Sequence, residues 1–450
     1  MTSTNTPPQS SEAVSAVLST RAPSAIGVRR YIIPVGLLLI MTLGYADRVN
    51  FSVAAPLILA EFGLTKAAFG WLSSSFNWSY LLLLIPMGAL SDRIGTRLIL
   101  LIFIVVWSLG AGITGMAGSL TLLFVSRLVL GVGESPINPA GNLVVREWAP
   151  ASERGFFAGM LNTGALVGPA VGSVVAAQLI ESFGWRASFF ALGGFGVLVG
   201  ILWFAIYETP ERARWLGAEE RTFILANREI NPEPGRKAVR SMTVLSLLQT
   251  KSMWGLIITQ GCAVYTNYLF LSFLPLYLVD IRGLKNIGAG WATGVTYGLA
   301  AVGSLVIVAI SDRWVRRHRD NLVRARRTSL LVTLALALVL LALPWLSSTG
   351  LIITAISWVL AFAFAAIALN WALASDLVVD KGSVGRLFAL ITIGGNALGL
   401  AAPIVTGYLI DWTKSYSLPF IIAALLLIVG MGVTAALSRT PLQPARQAGS

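Results

Sequence analysis

Four ionisable residues, Asp47, Arg48, Arg127 and Glu134, stand inside long apolar stretches, and the interiors of the other apolar stretches carry no charge. A charged side chain at a bilayer centre costs roughly 2.5–3.5 kcal/mol on insertion scales. Four of them facing lipid would cost roughly 10–14 kcal/mol, comparable with the whole stability of a domain. They must therefore face one another, water or a bound ion. An arginine presents a planar fork of donors that grips a carboxylate through two hydrogen bonds and keeps its charge. A carboxylate taken out of water is harder to ionise, and a neighbouring guanidinium makes ionisation easier. Held between those influences, it can take and release a proton as its surroundings change. The residue types thus suit an anion held by Arg48, with Arg127 as a second candidate, and protons carried by Asp47 and Glu134. The competing reading is two ion pairs that merely join helices, but buried pairs are poor sources of stability and intramembrane charges usually mark function.

Spacing says which helices must position them. Arg127 and Glu134 are seven residues apart, two helical turns, so they project from nearly one face about 10 Å apart. Asp47 and Arg48 are neighbours pointing about 100° apart, so one can meet the other helix while its neighbour faces a cavity.

The rest of the chain is built for a membrane. Of its 450 residues 56% are hydrophobic and 12% charged, at a mean hydropathy of +0.77; soluble domains carry about 25% charged residues. Twelve apolar helices are expected, at about 32–58, 69–90, 98–117, 119–143, 155–180, 187–207, 253–279, 288–311, 328–346, 350–374, 385–410 and 417–437. The fold class is therefore an all-α membrane protein. The net charge of +13 follows the loops: twenty-six of the thirty-three Lys and Arg fall on the side holding both termini and five opposite, Lys66, Arg186, Arg282, Lys285 and Lys414. By the positive-inside rule both termini are cytoplasmic. The charge reports orientation, and no nucleic-acid partner is implied. Residues 1–30, rich in Ser, Thr and Pro before the first apolar run, are expected to be a disordered cytoplasmic tail and not a signal peptide. The lone histidine, His318, lies in a basic run and the lone cysteine, Cys262, in an apolar helix, so neither a histidine metal site nor an internal disulfide is expected.

One long polar interruption, 208–252, separates a six-helix half at 31–207 from another at 253–438, with a C-terminal tail at 439–450. It reads as a cytoplasmic linker, with Asn231-Pro-Glu-Pro-Gly235 as its breaker and a short helix near 217–230. The halves echo each other. Gly88, Asp92, Arg93, Gly95 and Arg97 follow the second helix, and Asp312 and Arg313 follow the eighth, with the aspartates 220 residues apart. Arg154 and Arg386 are 232 apart, and Pro169 and Pro403 are 234 apart. Two equivalent halves suit a transporter whose site lies between them near the midplane.

Gly-x-x-x-Asp-Arg-x-Gly-x-Arg at 88–97 resembles the loop signature of the major facilitator superfamily, over a chain whose twelve helices and central loop also match. Tyr45-Ala-Asp47-Arg48, Arg127 through Gly131, Gly133 and Glu134, and Asn396 with Gly399 and Pro403 resemble its anion:cation symporter branch, which includes bacterial galactonate, glucarate and hexuronate transporters. Thr96 departs from the signature, which usually has a basic residue there. The resemblance implies the two-half facilitator fold, an inner-membrane location, and proton-coupled import of a small organic anion by alternating access. It implies that Asp47 and Glu134 couple protons. It also implies that Gly88, Asp92, Arg93, Gly95, Arg97, Asp312 and Arg313 form a conformational latch. Protons are then the coupling ion, and no cofactor or metal is required; the protein is expected to act as a monomer in the bilayer.

Neutral groups complete the expected site: Tyr45, Asn77, Tyr80, Asn162, Thr163, Tyr265, Asn267, Tyr268, Asn370, Trp371, Thr392 and Asn396. Buried amides need partners, and several converging on one cavity suit a ligand with many hydroxyls. Packing competes for each aromatic, and helix-to-helix bonding for each asparagine. Tartrate-like or aromatic acids are alternative substrates, and export is an alternative direction. An enzyme is disfavoured, since no nucleophile–base pair or metal cluster occurs in the apolar segments, and the short tails leave no room for the signalling domain of a receptor.

Overall fold

Runs of Leu, Ile, Val, Phe and Ala in lipid leave backbone N–H and C=O groups no water to bond, so each run closes its own hydrogen bonds as a helix. The computed structural model describes residues 27–228, 242–318, 321–379 and 383–442. Most of the expected N-terminal tail, Asn231 to Gly235 of the linker and 443–450 lie outside the described residues. Twelve helical spans cross the described chain. The first half holds Ile32–Val53 (continued as Ala55–Phe62), Lys66–Ile94, Thr96–Gly115, the broken pair Leu120–Glu134 and Ile137–Trp148, Arg154–Phe183 and Trp185–Ile206. The second holds Lys251–Arg282, Asn286–Arg317, Leu322–Leu336 (tightening to a 3-10 helix, Ala337–Trp345), Thr349–Leu377, Val384–Thr413 and Ser417–Leu437. Eleven are long and apolar enough to span a membrane. The second span, Lys66–Ile94, is the least apolar, with Ser73-Ser74-Ser75 and Asn77 in its path, yet its 29 residues are ample in length.

Several spans outrun the expected apolar runs because a helix continues past the lipid into charged ends; the eighth extends through Arg317. The fourth is broken at Ser135–Pro136, where proline has no N–H to offer the preceding turn. Between the halves, the short helix Ala218–Asn227 rests on the first half, with Trp215 stacked on Trp148 (centroids 5.3 Å) and Glu220 accepting the backbone N–H of Arg30 at 2.9 Å.

The repeat is visible in how glycines are used. Gly164, Gly168 and Gly172 press the fifth span onto Met41, Tyr45 and Ala46 of the first, where an added Cβ would collide. Gly395 and Gly399, each 231 residues after Gly164 and Gly168, press the eleventh onto Gln260 and Val264 of the seventh. Glycines also seal the halves together. A Cβ at Gly70 would run into the carbonyl of Pro403, one at Gly407 into that of Lys66, and one at Gly290 or Gly294 into the fifth span at Ala177 and Ala170.

Hydrogen bonds between the halves gather at this same end. Ser52 donates to Leu271 O (2.6 Å) and Ser74 to Leu400 O (2.7 Å). Lys66 reaches Asp280 (2.6 Å), and the N–H groups of Lys66 and Ala67 bond both oxygens of Asp411 at 3.1 and 2.7 Å. Asp411 thus satisfies the free donors and positive dipole end of the second span from the other half. Beside it Glu61 accepts two bonds from Arg186 and one from Trp185, and the Arg186 bonds hold its carboxyl below the usual range.

This seal lies opposite the face that carries both ends of the described chain. Asn162 shares the face of Ser173 but sits three turns nearer the chain ends, and it is exposed. The cleft between the halves therefore opens on the side of the termini.

Candidate functional site

Arg127 and Glu134 sit on the fourth span, which is packed tightly enough to bring them against the first and second. A Cβ at Gly131 would strike Phe76 O, and one at Gly133 the backbone of Trp107. The fourth span is wedged between the second and third at these glycines, and Glu134 reaches the first span at Gly44. There Arg48 donates from Nε and Nη2 to Glu134 Oε2 at 2.8 and 2.6 Å. Both side chains are buried. The guanidinium lies over Tyr45 and Phe76, each at 4.4 Å, with Tyr80 at 5.3 Å. Those ring faces supply cation–π attraction in place of water.

The other two charges are not hydrogen-bonded together. Asp47 is fully buried, and neither of its oxygens has a hydrogen-bond partner among the described residues. Arg127 is 3% exposed, with Nε and Nη1 unpartnered, and its guanidinium lies over Phe51 (4.4 Å) and Phe76 (5.4 Å). Glu134 Oε1 is also unpartnered. The site therefore has one ion pair, one acid and one base in reserve, and ring faces between them. An unmatched buried charge is costly, so the arrangement is primed for a ligand or a proton.

A small pocket between the halves borders both arginines. It is lined by Arg48, Phe51, Ser52, Ser73, Phe76, Asn77 and Arg127 from the first half, and by Tyr268, Leu271 and Ser272 from the second. Asn77 and Tyr268 were expected on sequence grounds. The serines were legible only as a polar interruption at Ser73-Ser74-Ser75, and nothing in the sequence marks Phe76 as the ring between two arginines.

The remaining neutral residues are spread more widely. Tyr45 flanks Arg48, and the Tyr80 hydroxyl accepts a bond from Asn138 at 2.9 Å. Tyr268 donates to Asn396 Oδ1 at 3.4 Å, bringing Asn396 to the edge of the pocket. Tyr265 is buried on the seventh span outside the pocket lining. Asn162, Thr163, Asn396 and Thr392 each donate to the carbonyl four residues back. Asn267 is partly buried. Trp371 packs edge-on to Phe388 at 4.7 Å. Asn370 spends its amide on Leu256 O (3.0 Å) and Gln260 Oε1 (2.9 Å), tying the tenth span to the seventh. Asn370→Ala is accordingly expected to cost about 0.6–1.7 kcal/mol of stability, the range for interhelical bonds in membranes. The check is a lowered melting temperature in detergent with the KM for uptake unchanged.

At the loop signature Gly95 turns the chain at φ +87° between the second and third spans, and a Cβ added at Gly88 would meet only Pro139, at ordinary contact distance. Asp92 and Arg93 are exposed at the open end of the cleft, Asp92 with no ion-pair partner among the described residues. Arg97 instead bonds Phe204 O (2.9 Å) and pairs with Glu208 at 3.5 Å. In the second half Arg326 bridges Asp312 (2.6 Å) and Asp376 (3.1 Å), while Arg313 is exposed. Thr96, 230 residues before Arg326, is buried and bonds Glu147 (3.1 Å) and Tyr207 (2.8 Å). A hydroxyl pair thus serves Glu147 where the second half uses a guanidinium, which accounts for the departure at Thr96.

A model of the Major Facilitator Superfamily matches residues 37–399. The chain belongs to that superfamily. Among relatives of this facilitator, the Probable sulfoacetate transporter SauU of Cupriavidus necator is 32% identical over 89% of the chain and 91% of the relative. The Probable galactarate/D-glucarate transporter GudP of Escherichia coli K12 is 28% identical (86% and 88%), and a D-galactonate transporter of Escherichia coli O6:H1 is 29% identical (85% and 90%). A solved bacterial homologue of the human lysosomal transporter Spinster superposes with a TM-score of 0.75 at 17% identity, covering 92% of the facilitator and 98% of that chain, and so shares its fold. The facilitator is a membrane transporter and not an enzyme.

Proposed function

We propose that the chain is a proton-coupled symporter that imports a small organic anion, most readily a sugar acid such as galactonate, glucarate or a hexuronate, by rocking its halves about a central site. The observation that carries this is the Arg48–Glu134 pair beside an unpartnered Asp47 and Arg127, at a pocket between the halves. Protons arriving on Glu134 and Asp47 remove the charge that holds Arg48 and free its fork for a carboxylate. Closure carries the anion and protons to the other face. Release of protons then restores the ion pair and expels the anion, which resets the site. Asp92 and its neighbours would latch the open end when the cleft closes there. The names of the relatives support an organic anion and add sulfoacetate to the class. The excess of Lys and Arg on the terminal side supports cytoplasmic termini, and the bacterial relatives support an inner-membrane location. One chain supplies the whole site, which supports a functional monomer.

The test is uptake by proteoliposomes of galactonate, glucarate, glucuronate and sulfoacetate, with and without an imposed pH gradient. At least one should accumulate against its own gradient when the lumen is alkaline. Accumulation that ignores the pH gradient for every anion moved would overturn proton coupling.

A further inference from the structure

Arg127 is the feature left over. Glu134 is already spent on Arg48, so the site holds a second guanidinium that no carboxylate among the described residues grips. Arg127 is all but buried, lines the pocket together with Arg48, and keeps Nε and Nη1 without partners. Both guanidinium carbons lie within 5.4 Å of the centre of one ring, Phe76, so they are at most about 10 Å apart. Bidentate bonds of roughly 2.8 Å place an anionic carbon close to each fork, and one small molecule can meet both. Of the asparagines that would read a row of hydroxyls, Asn77 lines the pocket with its Oδ1 unpartnered, and three others are engaged elsewhere. Asn370 ties two spans together, and Asn162 and Asn396 bond their own helices.

We propose that Arg127 is a second anion-binding group and that the preferred substrate is a dianion, one end on Arg48 and the other on Arg127. This rests on the symport reading above and narrows its substrate class. The charge count agrees. Asp47, Glu134, Arg48 and Arg127 sum to zero when both acids are ionised and to +2 when both are protonated. The other titratable groups facing Arg48 are the neutral phenols Tyr45, Tyr80 and Tyr268. Each proton taken up therefore leaves one guanidinium charge unbalanced, and two protons with a dianion return the site to zero. The loaded and the empty site then cross the dry midplane without net charge, so dianion entry is electroneutral with two protons.

The test uses the full chain in proteoliposomes and three pairs matched in carbon number: malonate with lactate, tartrate with threonate, galactarate with galactonate. The dianion of at least one pair is expected to enter or compete at concentrations at least about tenfold lower than its partner, since two charge-assisted contacts replace one. At steady state its accumulation should rise about a hundredfold per pH unit, the square law for two protons, and should ignore a potassium diffusion potential. Arg127→Gln should lower the dianion-to-monoanion ratio at least about tenfold, with Arg127→Lys between the two. If Arg127→Gln does not fold, the slope and potential measurements on the unaltered protein decide. Monoanions preferred throughout, with a tenfold slope, would overturn this inference and leave symport standing. No proton-dependent movement of any anion would overturn both.

Discussion

Glu134→Gln is expected to end uphill uptake while leaving exchange intact. The side chain can no longer ionise and mimics the protonated acid, so Arg48 keeps at most a neutral acceptor there and its fork stays available to the substrate. A pH unit is worth about 1.36 kcal/mol per proton, so each coupled proton supports about a tenfold gradient of substrate. Without a Glu134 that deprotonates to reset the empty site, net uptake should stall without passing a ratio of one, even with an alkaline lumen. Counterflow of labelled against unlabelled anion needs no reset by deprotonation and should continue. Uphill uptake at the unaltered level would remove Glu134 from the coupling reaction, and loss of counterflow as well would make it a binding group.

The second large effect is expected at the seal. Gly407→Leu places a side chain against the backbone carbonyl of Lys66, an atom that cannot swing aside. Overpacking against backbone costs about 3 kcal/mol, which moves a two-state equilibrium by more than about a hundredfold. That cost falls only on the conformation sealed at this end, because the contact joins different halves. Transport should drop by about that factor while the melting temperature stays near that of the unaltered protein. Ser74→Cys reports the cause. Ser74 is buried under Leu400, and in the Gly407→Leu background a thiol there should react with impermeant maleimide from the sealed side. Cys262, the one native thiol, is buried and does not interfere. Retained transport would show that the glycine contact is not needed for closure.

The sequence carried the twelve spans, the two halves and the four charges because each depends on local chemistry. Apolar length, the sign of loop charge and the expense of a buried ion are properties of a segment on its own. It could not say which acid meets which base. Asp47 and Arg48 differ by one residue, and only the packing of Gly131 and Gly133 brings Glu134 to the first span against Arg48 and leaves Asp47 unbonded. The asparagines were ambiguous for a related reason. An amide satisfied by a carbonyl four residues back, as in Asn162, looks the same in sequence as one bonded across helices, as in Asn370, or one turned to a ligand. Phe76 carried no signal, because a ring between two cations is indistinguishable in sequence from a ring in a core. The direction in which the cleft opens was equally hidden, since both end states of such a cycle use the same residues.

The helix Ala218–Asn227 is fastened to the first half through Arg30, which is buried between Glu153 and Glu220. On the far side Met242 bonds Ser383 and Arg386 at the start of the eleventh span. The two ends of the linker thus belong to the bodies they bind, and a stroke that parts the halves carries Glu220 one way and Met242 the other.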